Sequence, residues 1–144
     1  MFGSDKGFDN LFRQLPQDVL DNMVLVIGGE FGRQLKANGG NGSDHGRGNA
    51  MIVIGNRVRG GVYGEMFPEH ELARLEIASA DITGRTAIDH VFGRVCDWVS
   101  PGSGDVVFPN RGFADLEPGV SLSSLFFRGQ PVRGVRALWA FRRN

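Results

Sequence analysis

The sequence predicts an α/β fold with a short, mostly parallel sheet, on three observations. Two compact apolar runs, "MVLVIG" (Met23 to Gly28) and "AMIVIG" (Ala50 to Gly55), are apolar on both faces, as strands covered on both sides are. A later segment, Gly84 to Val99, repeats apolar residues at helical spacing. The 144 residues suffice for one packed domain, and the 41% hydrophobic and 22% charged shares suit a globular chain.

In chain order, Phe8, Leu11, Phe12 and Leu15 follow helix spacing, with Asp5 as a cap and Pro16 as the stop. "QDVLDN" leads into the first strand, and the second begins after a glycine-rich excursion. "NRVRGGVYGE" reads as an exposed strand or loop with a turn at Gly60-Gly61. Pro68 stands where a helix would begin, continued weakly by "EHELARLE". The strongest helix carries Ile88, Val91, Phe92, Val95 and Val99 on one stripe, with Thr83 as its cap. "VVF" before Pro109 reads as a small edge strand. The expected organisation is one α/β domain over residues 1–109 and a basic, aromatic extension over 110–144. From Ser121 onward that extension holds five arginines and no acid, so it reads either as an RNA- or anion-touching surface or as an edge with arginine on its wet face.

A net charge of zero removes any global argument for nucleic acid or a membrane surface, so no nucleic-acid partner is expected. Apolar runs all fall short of the roughly 18 residues a membrane span needs. The start, "MFGSDKGFDN", has neither the basic cluster nor the apolar core of a secretory signal. The single cysteine, Cys96, excludes an internal disulfide framework.

Glycine makes up 22 of the 144 residues, and the excess is concentrated between Gly28 and Gly64. Inside it lies "GGEFGRQLKANGGNGSDHGRGNAMIVIG", which carries Glu30, Arg33, Asp44, His45 and Arg47 between the two strands. In open α/β sheets, ligands bind where strands end, so Glu30 is well located. Carboxylate oxygen with imidazole nitrogen is a common ligand mix for zinc and manganese-type ions. Neighbours on a regular strand point to opposite faces, so Asp44 and His45 can share an ion only from an irregular loop, or serve two ions. Glu30, Asp44 and His45 are thus candidate metal ligands, against the reading of a solvated loop. Arg33 and Arg47 are candidate anion clamps, against ordinary solvation or a carboxylate partner. A phosphate-cradling P-loop is excluded because the Lys-Ser/Thr ending is missing. His90, on the strongest helix, reads as a half-buried structural residue, and His70 matches no ligand position.

The order "VLVIGGEFGR", "NGGNGSDHGRG", "AMIVIG", "VRGGVYGE", with "TAIDHVFGRV" after it, resembles the bacterial family called domain of unknown function 1501, from about Phe8 to Val99. That family is similar in turn to the alkaline phosphatase and sulfatase superfamily. The resemblance implies a partial alkaline-phosphatase-like α/β/α sandwich, matching the C-terminal part of a larger protein. It implies hydrolysis of phosphate or sulfate esters with a divalent metal (zinc, manganese, magnesium or calcium), Glu30, Asp44 and His45 standing near ligand positions. Glu30-Phe31 replaces the Asp-His pair of many relatives, and the half that supplies the nucleophile has no counterpart here. The function expected is the metal-binding portion of an ester hydrolase-like protein, incomplete on its own. The alternative is a non-catalytic binding or structural module, and an oligomer or a partner could supply the missing half. Related full-length proteins are often exported, so location stays open.

Overall fold

The fold is described from a computed structural model over residues 7–65, 69–74, 77, 80–126 and 137–139. Helices α1 (Phe8–Gln14) and α2 (Gln17–Asp21) precede strand β1 (Leu25–Gly28). Strands β2 (Gly32–Ala37) and β3 (Ser43–Gly46) follow, then β4 (Met51–Ile54). Helices α3 (Glu69–Leu72), α4 (Ile88–Val99) and α5 (Ser103–Val107), a 3-10 turn at Arg111–Phe113 and strand β5 (Ala137–Trp139) complete the order.

Mixed helices and strands make this an α/β chain, but every pairing among the described strands is antiparallel. One sheet has the order β1-β4-β5, with Val26 opposite Val53 and Val53 opposite Leu138; β2 and β3 form a separate two-stranded sheet. The expected parallel arrangement is not found here, for a physical reason. A parallel pair needs a crossover, usually a helix. The excursion between β1 and β4 is instead a hairpin that returns the chain to the same end, so β4 runs back along β1.

The runs predicted as strands are both strands. β4 is the buried one, with Val53 fully buried and Ile54 2% exposed, whereas Leu25, Val26 and Ile27 of β1 are half-buried. Val53, Met51 and Val58 pack with Val91 of α4 and with Leu122 and Leu125 in one apolar cluster. The segment after residue 110 therefore supplies core side chains. Leu125 accepts a hydrogen bond from the Arg59 N–H at 2.8 Å through its carbonyl, and Val58 bridges Phe126. β5 adds backbone pairing to β4, while residues 127–136 and 140–144 of the basic tail lie outside the described set. Asp5 and Pro68 do too.

The strongest predicted helix exists, but it starts at Ile88. Its N-cap is Ala87, in an extended conformation with its N–H donated to the Asp115 carbonyl at 2.7 Å. Thr83 does not cap it. The Thr83 N–H instead donates to Glu71 Oε1 at 2.9 Å, tying α3 to the chain ahead of α4. The "VVF" segment is not an edge strand: Val106 and Val107 end helix α5 and Phe108 is its C-cap. β-Branched residues favour strands only weakly, and tertiary anchors override them. Here Asp97 Oδ1 accepts the Gly104 N–H at 2.9 Å, and Ser103 Oγ donates to the Cys96 carbonyl at 2.7 Å.

Arg111 locks this corner. Its guanidinium donates to Asp105 at 2.6 Å and to Asp97 at 2.8 Å. Its Nη1 passes beside Gly93 and Gly104, where a Cβ would collide with it. Burial pushes the Asp97 carboxyl upward, but hydrogen bonds from Arg111 and the Gly104 N–H, with the charges of Arg111 and Arg94, outweigh it. The net effect holds Asp97 below its ordinary 3.8. A carboxyl lowered on folding stabilises the fold above its unfolded value, and that contribution is lost as pH falls through the lower folded value. We expect the thermal midpoint to fall on acidification below about pH 4, and Asp97→Asn to flatten part of that fall. Scanning calorimetry at neutral pH and at pH ~3 checks this. An unchanged acid loss in the variant would contradict it.

Candidate functional site

The glycine-rich excursion, read from sequence as either a flexible loop or a site, is an ordered hairpin. Its turn is closed by Asn38. The Asn38 N–H donates to the Gly42 carbonyl at 2.8 Å, and Asn38 Oδ1 accepts the N–H groups of Gly40 and Gly42. Asn41 adopts the left-handed conformation (φ 58°), which Asn tolerates better than most residues.

Register then decides which side chains meet. Arg33 sits opposite His45, so the two share a face, and Phe31 lies two residues from Arg33 on that face. The Phe31 ring stacks on the His45 imidazole with centroids 3.7 Å apart, and the Arg33 guanidinium lies 5.1 Å from the Phe31 centroid. Arg33 Nη1 also donates to the Ser43 carbonyl at 2.8 Å. Each exposed stacking contact contributes only about 0.5–1 kcal/mol, enough to orient a ring without holding the hairpin.

Asp44 is directed elsewhere. As the strand neighbour of His45 it belongs to the opposite face, where its Oδ1 accepts Asn38 Nδ2 at 2.8 Å. The register shifts between Arg33 and Ala37, with the extra residues on β2, while Asp44 and His45 are neighbours in β3 committed to different partners, Asn38 and Phe31, so they are not turned toward one ion. Glu30 is exposed in the bend ahead of β2. The backbone around it is clamped by Asn49, whose Nδ2 donates to the Gly29 carbonyl at 2.8 Å and the Phe31 carbonyl at 2.9 Å.

Two further anchors fix the hairpin from outside. Both Asp81 carboxylate oxygens accept the Arg47 N–H, at 2.9 and 2.7 Å, and the Leu35 N–H donates to the Ala80 carbonyl at 3.1 Å. A hydrogen bond to a charged acceptor contributes about 1.5–3 kcal/mol, more than either stacking contact. The Arg47 side chain is exposed, with its main-chain N–H committed to Asp81. Phe31, Asn38, Asn49 and Asp81 carry the site's geometry; of these the sequence drew attention only to Phe31, as the residue standing where many relatives have a histidine, and not to its stacking on His45. For the others, only the Asn38-x-Gly-x-Gly spacing offered a signal, as an Asx turn.

A structural metal site generally takes four ligands and a catalytic one three from the protein. Among the described residues, no group of three or more His, Cys, Asp or Glu side chains is placed to hold an ion. Glu30 and His45 have suitable donor chemistry, but with Asp44 turned away the described residues do not form a closed centre. His70 lies 3.2 Å from Arg85 Nη2, and His90 Nε2 meets the Ala114 carbonyl at 3.0 Å, both away from this hairpin.

Among the described residues, no helix is long and apolar enough to cross a membrane. No curated protein and no solved structure matches the chain. One family profile does, over residues 2–80, a span that holds β1 to β4, the hairpin and its anchor at Ala80, and that stops short of α4. With more than half of its length inside that profile, the chain belongs to the family described as protein of unknown function (DUF1501).

Proposed function

We propose that this chain is the metal-binding portion of a phosphate- or sulfate-ester hydrolase-like protein, related to the alkaline phosphatase and sulfatase superfamily and incomplete as a catalyst by itself. The observation that carries this reading is the shared hairpin face. It sets the His45 imidazole beside Phe31 and Arg33, and the bend holding Glu30 adjoins it through the Asn49 clamp. Glu30 and His45 would be the two donors this chain contributes, with the remaining ligands and the nucleophile coming from outside the described residues. Arg33 and Arg47 would meet the negative charge of a phosphate or sulfate group, a role suited to the planar, forked guanidinium.

Calorimetric titration with Zn²⁺ and Mn²⁺ tests the proposal. Two donors without a complete shell should bind weakly, and Glu30→Gln or His45→Ala should each abolish the heat. Asp44→Ala should leave it nearly unchanged, because its carboxylate serves the turn. Binding that survives the Glu30→Gln/His45→Ala double variant would overturn the assignment.

A second reading, a non-catalytic binding or structural module, is favoured by the engagement of Asp44 with Asn38. Assay of aryl phosphates and aryl sulfates separates the two. Turnover above background that disappears in His45→Ala would exclude the module.

A further inference from the structure

A second, separate recess lies beyond the family-matched span. A cleft of about 300 Å³ opens between α4, the 3-10 turn and residues 116–123. This is the lower end of the size range of small-molecule sites. Its lining combines Arg94, Ser121 and Ser123 with the apolar side chains of Leu116, Val120 and Leu122.

The polar groups differ in how far they are already committed. Arg111 also borders the cleft, but its Nε and Nη2 are held by Asp105 and Asp97. The His90 Nε2 is held by the Ala114 carbonyl, which can only accept, so that nitrogen is the donor. Arg94 is different. Its one ion pair among the described residues is a loose 3.9 Å approach to Asp97, with the side chain 42% exposed, which leaves donors of its fork for another acceptor. Ser121 and Ser123 are 2.8 Å apart, hydroxyl to hydroxyl. One O–H proton serves that contact, and the other can be given to a ligand.

We propose that this cleft binds a small monocarboxylate with an apolar body. The carboxylate would lie on the Arg94 fork and one serine hydroxyl, and the body would cover Leu116 and Val120. A carboxylate matches a guanidinium with two parallel N–H contacts. A phosphate dianion needs more donors than Arg94 and one hydroxyl supply. It would also be repelled more strongly by Asp105, which borders the same cleft with its side chain 73% exposed. The assignment is independent of the hairpin site, since none of these residues lies within 2–80.

The test is a two-dimensional amide NMR titration of the full chain with benzoate, phenyl phosphate and the neutral analogue benzamide. Benzoate should shift the amides of Arg94, Gly112, Ser121 and Ser123 saturably, and benzamide should not. Arg94→Gln should weaken benzoate binding about tenfold or more, the loss of a charged hydrogen-bond pair. Should that variant fail to fold, exposed Ser123→Ala carries the test, with a smaller loss confined to the same amides. Several results would overturn the assignment: no saturable shift at millimolar benzoate, shifts confined to residues 31–47, equal binding of benzamide, or an affinity untouched by both variants. Tighter binding of phenyl phosphate than of benzoate would overturn the ligand class.

Discussion

Leu125→Ala is expected to lower folding stability by about 3 kcal/mol. Leu125 is fully buried, and it packs with Val53 of β4, Val58 and Val91 of α4 in the central cluster. Its backbone is bonded on both sides, the N–H to the Leu122 carbonyl and the carbonyl to the Arg59 N–H. With both neighbours anchored, the chain cannot collapse readily into the void. The cost then combines lost transfer energy with a persistent cavity. Urea denaturation of the variant should give a lower midpoint with an unchanged slope. Leu116→Ala, at a side chain 41% exposed, serves as the control and should cost well under half as much. A loss below ~0.5 kcal/mol for Leu125→Ala would mean that residues 121–126 are not docked on the sheet.

The second large effect is expected at the base of the hairpin. A Cβ at Gly32 would fall on the carbonyl of Gly48, and one at Gly48 would come within 2.5 Å of the Ile82 side chain. Backbone, not a movable side chain, is what Gly32→Ala would strike. The start of β2 would have to separate from the chain that leaves β3 at Gly48, beside the bend that carries Glu30. We expect a loss of roughly 2–3 kcal/mol together with loss of the Phe31–His45 stacking. The His45 ring protons, shifted upfield by the Phe31 ring, should move toward their random-coil positions. Gly39→Ala, with nothing within 4 Å of its added methyl, is the control and should leave the His45 signals in place. Wild-type stability in Gly32→Ala would contradict the close backbone crossing.

How much of this was legible in the sequence depends on how local each determinant is. The two apolar runs are strands and the Val91 stripe is a helix, because burial periodicity is written into consecutive residues. Strand direction was not legible. Two-sided apolarity says only that both faces are covered, and the hairpin that reverses the chain is built by one Asn38 turn and an Asp81 anchor 34 residues beyond Arg47. The start of α4 moved for the same reason, since Glu71 and Asp115 claim the backbone N–H groups of Thr83 and Ala87. At the site, the glycines around Asp44 and His45 suggested an irregular loop that could turn both toward one ion; the pair instead lies in β3, with Asp44 bonded to Asn38 and His45 stacked on Phe31. Phe31 as the partner of His45, and Asn49 as the clamp on Glu30, come from register and from a turn. Neither is visible in residue spacing.

Under the proposed function, Glu30 and His45 give their side chains to one shared ion. Crystals soaked in Mn²⁺ and measured at its absorption edge test it most directly. One anomalous peak is expected within about 2.0–2.3 Å of both a Glu30 carboxylate oxygen and a His45 ring nitrogen, with Asp44 still bonded to Asn38. A structure with those two groups more than ~10 Å apart and no peak between them would contradict it.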